Sequence, residues 1–368
     1  MKKLLVPFIL LSVLVAAVGC SPWGTRPVVK IGLVAPFEGL YRALGYEVLP
    51  AVKLAVRECN SAGGVNGYMV ELVALNDDQE PGVAVSCARE MAADPDIMGV
   101  IGHFDEATTL AALSTYHEAG LALVVPGARA VQVTRAGYPE VFRLGADNNL
   151  LGATAARYAV IEKGARRLAV VRGQEDLVDS FREAALQRGA AVVLDADAVD
   201  DRLMSMLAKK QPDMIFFGGD ALEAADLLLQ LRSAGPDTPL LGGDGLNSPF
   251  LIQVAGEAAL GTTYVTMTPP VEDQAFVESY TALAGAPPGP YAALAYDAAR
   301  LLLSALEESV AQDGRTTRRG VVAALSRAHE FDGLTGILSF DERGQEVNPR
   351  VYTYEIVDQQ YPGELREE

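Results

Sequence analysis

Hydrophobic residues in this chain come in short runs separated by stretches of helical spacing, and glycine or proline closes most of them. Residues 98–130 show the rule. They predict a buried strand over 98–101, a loop over 102–106, a helix over 107–118, a strand over 121–125 and a loop over 126–130. Short apolar runs alternating with helices mark a parallel α/β sheet. Ligands of such sheets bind just outside the carboxyl ends of the strands. Both loops therefore face one crevice, and the free N–H groups opening the helix make the first a ready anion site. The arrangement can hold a small molecule, and no chemistry is evident in it.

The same alternation continues on both sides. A strand over 28–36 runs into the loop 37–42, and a helix over 46–60 stops at the glycine signal Ser61-Ala62-Gly63-Gly64. A strand over 68–75 ends in Asn76-Asp77-Asp78, and Pro81 starts the next helix. A short strand over 141–144 leads into 145–149, where the pattern begins afresh. Helices over 150–162, 177–187, 202–210 and 222–233 then alternate with strands over 168–172, 191–194, 214–217, 240–241 and 262–266. Thr268-Pro269-Pro270 reads as a second crossing between sheets. Helices over 272–283, 291–310 and 317–328 return, followed by 333–341 and a strand over 351–357. The charged tail from Asp358 is expected to fray. The fold class is α/β: two doubly wound parallel-sheet lobes with the chain crossing between them three times.

The first twenty residues read as a leader. Lys2 and Lys3 precede an apolar run over 4–18, too short to span a bilayer and placed where a secretory signal belongs. Ala17-Val18-Gly19 before Cys20 resembles the lipobox of bacterial lipoproteins, in which the cysteine becomes the lipidated first residue. The plainer alternative is an ordinary signal peptide with a chance cysteine. Residues 21–27 read as a short tether. A chain of 368 residues less this leader is long enough for two domains. Formal charge is −18, and losing Lys2 and Lys3 with the leader takes it to −20, which argues against nucleic acid or anionic lipid as a partner. Cys59 and Cys87 lie on the apolar stripes of two helices that a doubly wound sheet sends to opposite faces, favouring buried free thiols over a bridge. Their spacing suits no metal, and His103, His117 and His329 do not cluster, so neither metal nor cofactor is expected.

An enzyme needs a nucleophile with its base, a metal cluster or a phosphate loop. The chain has no GxSxG, HExxH, Walker loop or helix-opening GxGxxG. Catalysis is not expected.

The chain resembles the leucine/isoleucine/valine-binding family of type I periplasmic solute-binding proteins, the receptor components of ATP-driven importers. The likeness rests on the order and spacing of KIGLVAPFEG with LAVRECNSAGGVNG, VIGHF with EAGLALVVPGARA, FFGGD, QLRSAG, GGDG, PYAALAYDAARLLLSAL and FDGLTGILSFDERGQEVNPRVYTYEI. It implies two lobes joined by three crossovers around an enclosed ligand. These are placed at 28–146 with 269–333, and at 147–268 with 334–361, leaving 362–368 as tail. It further implies partners: a small-molecule ligand, a membrane permease with its ATPase, and the membrane itself through Cys20. In that family, backbone N–H groups and small hydroxyls on the first lobe hold an amino acid's carboxylate, while an acid and a tyrosine on the second take its ammonium. Laid on this sequence, Glu106 and Arg129 stand at the hydroxyls, with Thr108 nearby, and Gly127 stands at a backbone contact. Asp244 stands at the acid, Asp220 at the tyrosine and Leu177 at an aromatic position.

Those substitutions change the chemistry. Arg129 reads either as a clamp for a carboxylate or phosphate, or as a partner for Glu106 or Asp105 on the neighbouring loop. Asp105 and Glu106 at a helix start also read as caps, and there they occupy the anion site and, unless Arg129 offsets them, disfavour a ligand with a free carboxylate. Asp244 reads as turn chemistry as well as cleft contact. Tyr41, Arg42 and Glu38 could line the entrance; Asp147, Asn148 and Glu175 are weaker candidates; His103 reads as structural. The expected function is an extracytoplasmic solute receptor closing on an amino acid or amine-bearing relative. The alternative is a sensing module with the same fold and no transport role.

Overall fold

The computed structural model describes residues 26–171, 173–234 and 237–367. The leader, Cys20, most of the tether and Arg172 at the end of an expected strand lie outside the described residues.

The first sheet holds β1 (Val28–Ala35), β2 (Met69–Asn76), β3 (Ile97–Ile101), β4 (Ala122–Val125) and β5 (Val141–Arg143) in the order β2-β1-β3-β4-β5, with all neighbours parallel. β1 is buried almost throughout, as an apolar run covered on both faces must be. Ile31, Leu33 and Ala35 pack with the helices Arg42–Ser61 and Ala292–Asp313. Val34 packs on the opposite face with Pro81–Ala93 and Glu106–Glu118. Cys59 and Cys87 therefore sit on opposite faces, both as free thiols. The Cys87 thiol lies 3.3 Å from the Asn76 carbonyl oxygen, to which it donates. Burial first and Asp77 second push it up to about 11.

The second sheet repeats the plan with β6 (Arg167–Val171), β7 (Ala191–Ala196), β8 (Met214–Phe217), β9 (Leu240–Gly242) and β10 (Thr263–Thr266), in the parallel order β7-β6-β8-β9-β10. A small hairpin, β11 (Phe331–Gly333) and β12 (Gly336–Leu338), follows. β13 (Tyr352–Glu355) and β14 (Glu364–Glu367) then extend the second sheet antiparallel beyond β10. β14 corrects the expectation of a frayed tail. Leu365 pairs with Tyr354, and an edge strand tolerates the flanking charges because one side of it faces solvent. The helix expected over 150–162 is α-helical only at Asn148–Arg157 and continues as a wider π turn, Tyr158–Glu162. A helix not foreseen, Pro249–Ala255, follows β9, capped by Ser248 with proline at its first position.

The chain passes to the second sheet after β5, returns after β10 and leaves again between β12 and β13. The last passage comes at 344–350 rather than after Gly333, because Asp297 keeps the hairpin with the first lobe. Its carboxylate accepts from Leu334 N, Thr335 N and Thr335 Oγ1, each at 2.7 Å. The first and last passages are tied together. Arg143 N donates to Gly344 O at 2.8 Å, Glu346 N to Arg143 O at 3.1 Å, and Gly145 N to the Glu346 carboxylate at 2.6 Å. Buried Arg143 also donates to Gln345 and to the carbonyl oxygens of Arg129 (3.2 Å) and Ala130 (2.6 Å). Burial pulls its guanidinium down to about 10, so it stays charged at neutral pH.

Candidate functional site

The loops after β3 and β4 meet the loop after β9 between the lobes. Helix Glu106–Glu118 starts on Asp105, whose Oδ1 accepts from Ala107 N at 2.9 Å and Thr108 N at 3.2 Å. The buried Thr108 hydroxyl turns back to the same carboxylate. The helix's anion site is thus filled by Asp105 itself, as an acid in that place dictates. Gly127 carries no side chain because a Cβ there would stand 2.8 Å from the Phe104 Cα, where the two loops press together.

Glu106 turns to Arg129. Its Oε1 lies 3.1 Å from Arg129 Nη2 and accepts from Arg129 N at 3.3 Å. The guanidinium then reaches across the cleft, and Nη1 donates to Asp244 Oδ2 and, at 2.9 Å, to the Tyr291 hydroxyl oxygen. Tyr291 in turn donates to the same Asp244 oxygen. The other Asp244 oxygen accepts from the Thr266 hydroxyl, which is fixed by Asn247 Nδ2 at 3.0 Å and Thr268 N at 3.0 Å. The Asp244 side chain is fully buried and those of Arg129 and Glu106 are 12% and 13% exposed, so these charges interact with little solvent between them. Burial alone lowers the Arg129 value, but Glu106 and Asp244 more than offset it and hold the guanidinium well above its ordinary range. Burial, then Asp244, raises Tyr291, which stays a neutral phenol.

Of the two acids expected for Arg129, Glu106 on its own lobe is taken and Asp105 is not; the second partner, Asp244 on the other lobe, was not foreseen. Leu177 is buried behind the Asp244 loop, where a Cβ on Gly243 would meet its Cδ2 at 2.5 Å, so it shapes the loop through packing. Asp220 is exposed and caps helix Ala221–Ala234, accepting from Leu222 N at 2.9 Å and Glu223 N at 3.0 Å. Tyr41 stands at the rim, its hydroxyl raised first by burial and then by Asp220, Glu223 and Asp105. Arg42 is exposed and reaches back to the Gly39 carbonyl oxygen of its own loop at 3.4 Å. Asp147 caps helix Asn148–Arg157 through Leu150 N at 2.9 Å and lies 3.5 Å from Arg143 Nη2. Asn148 N donates to Arg129 O at 2.9 Å, and its side chain donates to Asp176 at 2.7 Å. His103 is fully buried between Asp77 (2.6 Å) and Tyr116 (3.1 Å), in keeping with its structural reading.

Sequence reasoning missed Tyr291, Glu47 and Asp176. Glu47, on helix Arg42–Ser61, accepts from Tyr291 N; burial first drives its carboxyl up to about 8. Asp176 accepts from Val131 N at 3.0 Å and so makes a second contact between the lobes. The one available signal for Tyr291 was its place just before the long apolar helix. Among the described residues no group of three or more His, Cys, Asp or Glu is arranged to hold a metal ion, and no helix is long and apolar enough to cross a membrane.

The family model described as "Periplasmic binding protein" matches residues 28–360. The chain belongs to the periplasmic binding protein family. Its members are solute-binding proteins rather than enzymes and work outside the cytoplasm. Among curated relatives, the Leucine-, isoleucine-, valine-, threonine-, and alanine-binding protein of Pseudomonas aeruginosa is 27% identical over 89% of each chain. The Leu/Ile/Val-binding protein of Escherichia coli K12 is 27% identical over 86% of this chain and 87% of its own. Among solved structures, a leucine-binding protein of Thermotoga maritima is 27% identical with a TM-score of 0.79, covering 90% of this chain and 97% of that one. A branched-chain amino acid transporter substrate-binding protein of Streptococcus pneumoniae, in complex with isoleucine, shares the fold at a TM-score of 0.80 and 24% identity, over 92% and 98%.

Proposed function

We propose that this binding protein is the solute receptor of an ABC importer, closing its lobes on a small polar ligand, an amino acid or an amine-bearing relative, where Arg129 meets Asp244. One observation carries the placement. Glu106 and Arg129 on the first lobe and Asp244 on the second converge within a single buried network. A group bound there touches both lobes only when they are shut, so its binding energy shifts the hinge equilibrium towards the closed form. Arg143 and the tied passages at 143–147 and 344–346 support a hinge about which the lobes 28–146 with 269–343, and 147–268 with the segment beyond 344, move. Membership of the solute-binding family supports transport over a sensing role. We further place the mature chain on the membrane surface through a lipid at Cys20.

Thermal shift of the purified protein against amino acids, amides, short peptides and polyamines tests the reading. A ligand at about one hundred times its dissociation constant adds about 2.7 kcal/mol, a readily visible rise in Tm. A panel that moves Tm nowhere refutes the receptor role.

A further inference from the structure

The cleft is furnished with its own charged ends. The amide donors that could take a ligand's carboxylate are engaged: Ala107 N and Thr108 N by Asp105, and Arg129 N by Glu106. The acid that could take a ligand's ammonium is engaged by the Arg129 guanidinium, and the Tyr291 hydroxyl oxygen accepts from the same nitrogen. Glu106 and Arg129 together therefore stand in for both ends of an amino-acid zwitterion.

The charge sum then chooses among ligands. Glu106, Arg129 and Asp244 carry one net negative charge with their side chains at most 13% exposed, and Asp105 adds a second nearby. A carboxylate entering here meets occupied donors and two or three acids. A zwitterion leaves the negative sum unchanged and must displace both Glu106 and Arg129. A cation lowers the sum and needs only the seat on Asp244. Displacement leaves no stranded ion either, because Arg129 already lies 3.1 Å from Glu106 and can remain on it. The seat itself has the geometry for an N–H cation, since Asp244 Oδ2 and the Tyr291 oxygen both accept from one guanidinium nitrogen.

We infer that the ligand is an organic cation without a free carboxylate, an alkyl amine or guanidine, whose head group replaces the Arg129 guanidinium on Asp244 and Tyr291. The inference rests on the solute-receptor reading. Arg129 is then a built-in competitor that holds the seat until the cation arrives.

Isothermal titration with agmatine, putrescine and leucine, on wild type and on Arg129→Ala and Arg129→Met, tests it. Agmatine or putrescine is expected to bind wild type, and at least tenfold more tightly once the competing guanidinium is gone. Leucine is expected to give no binding heat with any of the three proteins. Leucine binding to wild type and weakened in the variants would make Arg129 a carboxylate clamp, overturning the cation assignment while leaving the receptor role intact. Failure of both cations on all folded proteins overturns it equally, and if neither variant folds, agmatine or putrescine against leucine on wild type decides. A broader panel that finds no ligand of any class would instead refute the receptor role.

Discussion

Replacing Asp244 by asparagine keeps the volume of the side chain and removes its charge, and the surrounding hydrogen bonds permit no rescue by rotation. One carboxylate oxygen accepts from Arg129 and Tyr291, the other from the Thr266 hydroxyl. Thr266 Oγ1 already accepts from Asn247 Nδ2 and Thr268 N, both at 3.0 Å, so it can only donate, to residue 244 or to Thr268 Oγ1 at 2.9 Å. In either amide orientation the new NH2 group therefore faces a donor. Towards Arg129 and Tyr291 it forfeits two bonds, the one to Arg129 being an ion pair; towards Thr266 it meets an oxygen with no free lone pair and turns that hydroxyl to Thr268 Oγ1. Bonds involving a charged group contribute about 1.5–3 kcal/mol each. In the liganded closed form the cation stands where Arg129 did, so losing its ion pair with residue 244 and the Tyr291 bond amounts to about 3–6 kcal/mol, or at least about a hundredfold in ligand affinity. The second lobe by itself loses only the Thr266 contact, about 1 kcal/mol. Asp244→Asn should thus lower affinity by at least about a hundredfold in a calorimetric titration while the urea midpoint moves little. An affinity change of less than about threefold would refute the reasoning.

Further outcomes follow from buried groups away from the seat. Glu47 and Glu346 are pushed up to about 8 and about 7, chiefly by burial, from 4.5. The folded protein then binds more protons than the unfolded chain between pH 4.5 and 8, so this part of its stability is full below 4.5 and is lost as pH rises to 8. Urea unfolding of Glu47→Gln should show a flatter loss over that range, at about 1.4 kcal/mol per unit of displacement removed, and an unchanged slope would count against it. Asp297→Ala strands Leu334 N and Thr335 N beneath the β11–β12 hairpin and should cost about 2–4 kcal/mol in chemical denaturation. Cys87, with its thiol near 11, should resist maleimide at pH 7.5 until the chain unfolds, as read by peptide mapping.

Much of the architecture was legible because parallel strands covered on both faces leave unmistakable apolar runs. β1, β4 and β8 are the clearest. β14 was not, since Glu-Leu-Arg-Glu has too little apolar character to announce a strand, and its pairing with β13 comes from tertiary placement at a sheet edge. In the site, the approach of Arg129 to Glu106 could be read from adjacent carboxyl-end loops. Its capture by Asp244 required knowing how the lobes face one another. Tyr291 and Glu47 were hidden because one sits just before, and the other on, a helix whose sequence shows only its apolar face; the place of Tyr291 depends on where its helix begins, which periodicity leaves loose. Asp220 shows the opposite ambiguity. A carboxylate after a strand and before a helix serves equally well as a cap, and that is how it is used here.

Arg129 is expected to clasp the lobes together and to yield to a cation. Small-angle X-ray scattering of wild type beside Arg129→Ala tests both halves at once. Without ligand, the variant is expected to be more expanded than wild type, and agmatine should return it to the wild-type profile. Superimposable curves for the two proteins, or an expanded variant that agmatine leaves open, would contradict the account.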